Sequence, residues 1–197
     1  MSGHRAQKMG SGKGLSGFVA RLRYHEFSRQ GIGLLLIPVC VWFAVPGTGR
    51  ASLGLAIAAA GQLWRINAAG MIHKNEQLAT SGAYSLVRHP LYLGNALILG
   101  GFTLACGHWA VLAVVTGFFL FFYPAAIRYE DAKLEGIFGQ EWRDWSRNTP
   151  AMLPTRMRWR TESGLSWSAR QSLLRNGELP ISLFLLACGC LLVFRQG

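Results

Sequence analysis

Two cations, Arg88 and His89, stand in the stretch Ser81-Gly-Ala-Tyr-Ser-Leu-Val-Arg-His-Pro-Leu-Tyr-Leu-Gly-Asn95, where a polar loop runs straight into a long apolar segment. A positive charge at the edge of a hydrocarbon layer is costly unless it is paired, hydrated or facing a cavity, so residues in that position are candidates for function. Interfacial anchoring, with Arg88 reaching toward headgroups and Tyr84 and Tyr92 in an aromatic belt, accounts for the residues one at a time. It does not account for the cluster, because Pro90 fixes a helix start and a belt has no use for His-Pro at a set spacing.

A second polar group, Arg128, Glu130 and Asp131, closes a later apolar run. The segments 91–106 and 109–127 are joined only by Gly107-His108, so they form an antiparallel hairpin. That brings His89 and Tyr92 to the same face as Arg128, Glu130 and Asp131. Two carboxylates beside a His, two Tyr and an Arg suit a polar, positively charged ligand next to apolar surface. The purely structural account pairs Glu130, Asp131 and Glu135 with Arg128 and Lys133 on a solvated helix, where such pairs contribute little.

The elements that must position these groups are read from composition. The chain is 51% hydrophobic with only 15% charged residues. Apolar blocks at 31–45, 51–64, 91–106, 109–127 and 180–194 leave too little polar sequence to cover a soluble core. Each approaches the roughly 20 residues that cross a bilayer. The expectation is an all-α integral membrane bundle of about five transmembrane helices, over about 31–46, 51–66, 91–106, 108–129 and 179–195. These form a single domain, 31–197, preceded by a polar basic arm and interfacial helix over 1–30. The small residues of 51–61 predict close packing of the first two spans as a hairpin. Leu134, Phe138, Trp142 and Trp145 predict a separate amphipathic segment over 132–148 lying on the membrane.

The net charge of +11 raises nucleic acid as a partner, and the distribution of the charge argues against it. With the N-terminus cytoplasmic, segments 1–30, 65–90 and 128–178 share one side and carry 6, 3 and 9 Lys/Arg, 18 of the 20, leaving Arg50 and Arg195 opposite. That is the positive-inside pattern, and it suits anionic lipids. It predicts a multi-pass protein with N-terminus and active site cytoplasmic. The basic stretch 155–178, with Arg156, Arg158, Arg160, Arg170 and Arg175, reads as a headgroup-binding connector or a substrate-docking loop. No metal is expected: Cys40, Cys106, Cys188 and Cys190 lie in apolar blocks without zinc spacing.

Ser-Gly-Ala-Tyr84, Arg88-His89-Pro90-Leu-Tyr92-Leu-Gly94 and Glu130-Asp131-Ala-Lys-Leu134-Glu-Gly-Ile-Phe138-Gly139-Gln-Glu-Trp142 together resemble the isoprenylcysteine carboxyl methyltransferase and phospholipid methyltransferase superfamily, over roughly residues 76–155. The resemblance implies an integral membrane enzyme using S-adenosylmethionine at the membrane face, with a lipid-like substrate entering from the bilayer. It implies a cofactor site of Gln77, Leu78, Ala79, Tyr84, His89, Pro90, Leu91, Tyr92, Glu130 and Asp131, and candidate catalytic residues Arg88, Arg128 and Glu130. A sulfonium cation is stabilised by a carboxylate and aromatic faces without a metal.

The departures narrow the acceptor. Carboxyl methyltransferases resembling this chain carry a substrate-facing Arg one helical turn before the first acidic residue, and here that position is Ala126. The expected acceptor is therefore something other than free prenylcysteine: a lipid-like amine, a phospholipid or an isoprenoid acid. Two other classes share parts of the pattern. NADPH-dependent membrane sterol reductases resemble it in Arg-His-Pro-x-Tyr but usually have an acidic residue where Asn95 stands. A non-catalytic lipid-binding protein would leave the cofactor cluster without a role.

Overall fold

The computed structural model describes residues 26–72, 76–155 and 166–196, with side chains from residue 31 onward. Residues 1–25 of the expected arm and interfacial helix, His73 to Asn75, residues 156–165 of the expected connector and Gly197 lie outside the described residues. Among the described residues six α-helices follow in order: α1 (Glu26–Trp42), α2 (Thr48–Met71), α3 (Pro90–Cys106), α4 (Trp109–Phe138), α5 (Gln140–Asn148) and α6 (Glu178–Phe194). A 3₁₀ turn (Gly82–Ser85) precedes α3 and a π-helical turn (Gln171–Arg175) precedes α6. The all-helical expectation therefore holds among the described residues. Among the described residues one helix, α4, is long and apolar enough to cross a membrane, while Gly31–Trp42, Pro90–Cys106 and Glu178–Phe194 are shorter apolar helices.

The chain runs back and forth, so α2 ends, α3 starts, α4 ends and α6 starts at one end of the bundle. At the other end the Val45 amide donates to the Cys106 carbonyl (2.9 Å), and the Gly47 amide donates to Gln196 Oε1 (2.7 Å). Arg50 Nη2 caps that end by donating to the Val45 carbonyl (2.6 Å). His108 receives the Ala110 amide on Nδ1, starting α4 directly after the two-residue turn read from the sequence.

Two expectations are corrected. The first two helices do not form the packed hairpin; the principal partner of α2 is α3, and α1 packs on α3, α6 and α4. The reason lies in matching small residues: a Cβ on Gly61 would stand 2.9 Å from the Gly94 carbonyl, and one on Gly101 would stand 2.5 Å from the Gly54 carbonyl. The backbones of α2 and α3 touch there, as small side chains permit. The second correction concerns 132–148. No proline follows Asp131 in the helix and Gly136 is tolerated within it, so α4 continues to Phe138, and the chain bends at Gly139, whose φ of 57° favours glycine, before α5 begins.

Large apolar side chains face outward all along the bundle, among them Leu53, Leu112, Leu120, Leu186 and Phe194. Inside, Phe102, Leu192 and Cys40 are fully covered. Replacing Gly101 by Val should lower the unfolding temperature in detergent, at a cost of about 1–3 kcal/mol from overpacking. Gly100→Ala, where nothing lies within 4 Å of the added methyl, should leave it unchanged. Equal effects of the two substitutions would contradict backbone contact between α2 and α3.

Candidate active site

Four elements meet at the end of the bundle where α3 starts. The loop from Leu78 to His89 is held from α2: Asn67 Oδ1 accepts the Ala83 amide (3.3 Å), and Trp64 Nε1 donates to the Pro90 carbonyl (3.1 Å). From the other side the chain following α5 lies along the motif, with the Arg88 amide donating to the Pro150 carbonyl (2.8 Å) and the His89 amide to that of Ala151 (3.0 Å). Pro90 then opens α3 at its first position, where its missing N–H costs nothing.

Asp131 is the centre of this arrangement. His89 Nε2 donates to Oδ1 at 2.8 Å and Arg88 Nη2 donates to Oδ2 at 3.0 Å, so one carboxylate spans both side chains. Arg88 also donates through Nη1 to the carbonyls of Ser146 (3.1 Å) and Thr149 (2.9 Å), and its guanidinium lies 5.8 Å from the Trp142 ring centre. Partial burial raises the Asp131 pKa, but the His89 hydrogen bond and charge and the pairing with Arg88 outweigh it, and the carboxyl is held below its ordinary range. The structural account in which Asp131 and Glu135 pair with Arg128 and Lys133 is thus not what forms: Glu135 meets Arg143 (3.2 Å), and Asp131 belongs to the loop cations.

Glu130 differs from its neighbour. Its Oε2 is buried and has no hydrogen-bond partner among the described residues. The Tyr84 phenol is pushed above its ordinary pKa by burial first and by the Glu130 charge second; Arg65 acts in the opposite direction, and Tyr92 and Glu178 add to the rise. Those residues therefore share one neighbourhood. The ring of Tyr92 lies 5.4 Å from His89 and 5.6 Å from Tyr123. A buried carboxylate oxygen with unmet acceptor capacity beside tyrosine rings fits a cationic sulfonium ligand.

The residues expected from the sequence are distributed as follows. Tyr84, His89, Tyr92, Glu130, Asp131 and Arg88 come together; Pro90 is buried beneath them, and Leu91 is half-buried. Leu78 and Ala79 are buried, Ala79 packing with Met71 against Tyr84, whereas Gln77 is exposed. Arg128 is exposed on α4, and no hydrogen bond or ion pair brings it to the cluster among the described residues; Ala126 is buried.

Sequence reasoning missed Arg65 and Glu178. Arg65 on α2 is 6% exposed and Glu178 at the start of α6 is 1% exposed; they pair at 2.6 Å through Nη2 and Oε1, with Nε on Oε2 at 3.2 Å. Arg65 Nη1 also donates to Asn95 Oδ1. The available signal was one cation closing the second apolar block and one acid opening the last, both at the same end of the bundle.

Residues 43–136 match the isoprenylcysteine carboxyl methyltransferase (ICMT) family. The chain is similar to the cobalt-zinc-cadmium resistance protein CzcN of Cupriavidus metallidurans, 40% identical over 61% of this chain and 54% of that one. It is similar to the nickel-cobalt-cadmium resistance protein NccN of Alcaligenes xylosoxydans xylosoxydans, 37% identical over 56% of this chain and 51% of that one. A third relative is the protein-S-isoprenylcysteine O-methyltransferase of Schizosaccharomyces pombe, 27% identical over 50% of this chain and 42% of that one. The chain spans about half the length of the curated relatives it matches. No solved structure matches it.

Removing the carboxylate at the centre should be visible as a pH-dependent loss of stability. A depressed carboxyl stabilises the fold fully above its unfolded pKa of about 3.9 and progressively less as pH falls through the folded value. Asp131→Asn should therefore lower stability by about 1–3 kcal/mol at pH 6, and the gap from the parent should close as pH drops below about 4. A pH-independent gap in chemical denaturation would disprove the role given to the Asp131 charge.

Proposed function

We propose, from the premise that residues 43–136 belong to the isoprenylcysteine carboxyl methyltransferase family, that this chain transfers a methyl group from S-adenosylmethionine to a lipid-like acceptor at a membrane face. The observation that carries the reading is the buried, unpartnered Glu130 Oε2 within the cluster of Tyr84, Tyr92 and His89. Glu130 would meet the cationic end of the cofactor, with the tyrosine faces beside it and Leu78 and Ala79 bordering its adenosine. When bound, the cofactor supplies a methyl group on sulfur that an in-line nucleophile takes directly.

The protein's share is then orientation and exclusion of water. Arg88 and His89, both tied to Asp131, position the loop; they have no freedom to act on an acceptor while those bonds hold. An amine or hydroxyl acceptor must give up a proton, and Glu130 Oε2 is the carboxylate oxygen available to receive it. The first two relatives are named for metal resistance. The reading proposed for this chain is nonetheless methyl transfer, on the match of residues 43–136.

The membrane setting belongs to the same proposal. Five helices, α1 to α4 and α6, would cross the bilayer, with α4 at about 45 Å overshooting the hydrocarbon layer so that Glu130 and Asp131 stand at its edge. The outward apolar side chains and the separation of Arg50 and Arg195 from the other cations support this. Reporter fusions at the two ends should read opposite sides, the N-terminal one cytoplasmic; a shared side would overturn the five-span topology.

The site itself is tested by radiolabelled S-adenosylmethionine against NADPH in detergent. S-adenosylmethionine should bind and NADPH should not, and Glu130→Gln should weaken cofactor binding by about 1 kcal/mol or more. Unchanged affinity in both Glu130→Gln and His89→Ala removes the site assignment, and NADPH binding would favour a reductase.

A further inference from the structure

A helix leaves its last carbonyls without donors of its own, and at an exposed end water commonly supplies them. At the end of α2 another part of the chain does so. The Ser168 amide donates to the Gly70 carbonyl (3.2 Å), Asn176 Nδ2 to that of Ala69 (2.7 Å) and Gln171 Nε2 to that of Ile72 (2.7 Å). Ser172 Oγ donates to the Ile66 carbonyl one turn back (2.8 Å), and both Gln171 and Ser172 are buried in making these bonds. Trp167 lies so close to the same helix end that a Cβ added at Gly70 would collide with its indole. The segment lies outside the residues that match the family, 43–136.

The π-helical turn accounts for the convergence. Gln171 and Asn176 both reach the Ile72 carbonyl, at 2.7 and 3.5 Å. Side chains five residues apart on an α-helix point about 140° from each other and would not share a target. Here the Asn176 amide donates to the Gln171 carbonyl (2.9 Å), the five-residue step of a π turn, which brings the two onto one side. Turns of this kind are rare and recur at functional sites.

What the segment holds still is a wall of the candidate site. Met71, between the fastened carbonyls of Gly70 and Ile72, packs with Ala79 against Tyr84. A shift of the α2 end would therefore carry Met71 away from Ala79 and Tyr84, and a misplacement of about 1 Å originating far from the chemistry is enough to be felt in catalysis.

We propose that residues 167–176 are a positioning element of the cofactor site, with Gln171 and Asn176 fixing the end of α2 so that Met71 and Ala79 stand against Tyr84 on the adenosine side. The inference rests on the methyl-transfer reading for the identity of the ligand. Gln171 acts through Ile72 and Met71 and touches no reacting group.

Equilibrium binding of S-adenosylmethionine to the full chain in detergent tests it. Gln171→Leu should raise the Kd at least about five-fold, the equivalent of one lost hydrogen bond. Gly70→Ala, which forces the indole away, should raise it likewise. Gln196→Leu cuts a comparable bond, to the Gly47 amide (2.7 Å), at the opposite end of the bundle. That variant should leave the Kd unchanged even where its unfolding temperature falls as far. Coupling is reciprocal, so in the unaltered chain S-adenosylmethionine should slow hydrogen exchange at the amides of Ser168 and Asn176, a readout that needs no variant to fold. Kd values that simply follow unfolding temperature across the three variants, or exchange at those amides that the cofactor leaves unchanged, would overturn the inference while the methyl-transfer reading stands. An unaltered chain that binds no S-adenosylmethionine removes both.

Discussion

One carboxylate holds the site together. Asp131 receives His89 and Arg88 on separate oxygens, and Arg88 in turn reaches the end of α5 and the residues after it. Three pieces of chain, the loop at 88–89, α4 at 131 and the stretch 146–149, thus meet through a single carboxylate. Its neighbour Glu130 keeps one buried oxygen without a partner among the described residues, while Asp131 holds Arg88 and His89. Adjacent acids on one helix point about 100° apart, so a two-residue acidic sequence yields one structural and one available carboxylate.

The hairpin of α3 and α4 was legible because its cause is local: a two-residue linker leaves the chain no other path. The meeting of His89 and Tyr92 with Glu130 and Asp131 follows from it. The partner of α2 was not legible, because spacing of small residues tells that a helix can be approached closely but not by which neighbour. Gly54 and Gly61 match Gly101 and Gly94 in register along two antiparallel helices, and that match is visible only once the direction of both is known. Arg128 shows the opposite failure: its type and position suited catalysis, and its helix phase sends it outward.

The two polar systems of the bundle differ in how they are built. Around Asp131 the partners are loop backbone and loop cations, close to the end of the helices. Around Glu178 they are side chains of Arg65, Gln62 and Ser182 from within the helices themselves, with Arg65, Gln62 and Glu178 almost wholly removed from solvent. A buried pair of this kind gives little net stability relative to apolar packing and is strongly disruptive when halved.

The end of α2 is finished by residues made much later. The carbonyls of Ile66, Ala69, Gly70 and Ile72 accept from Ser172, Asn176, Ser168 and Gln171 respectively. Arg65, one turn earlier, waits for Glu178, 113 residues further along. During synthesis α2 therefore emerges before the side chains that finish its end, and Arg65 stays without its counter-charge until Glu178 has been made. The segment before α6 and the start of that helix thus act as a late fastening, so a nascent chain stopped short of residue 168 keeps the whole defect, whereas one carried past residue 178 has every group needed to close it.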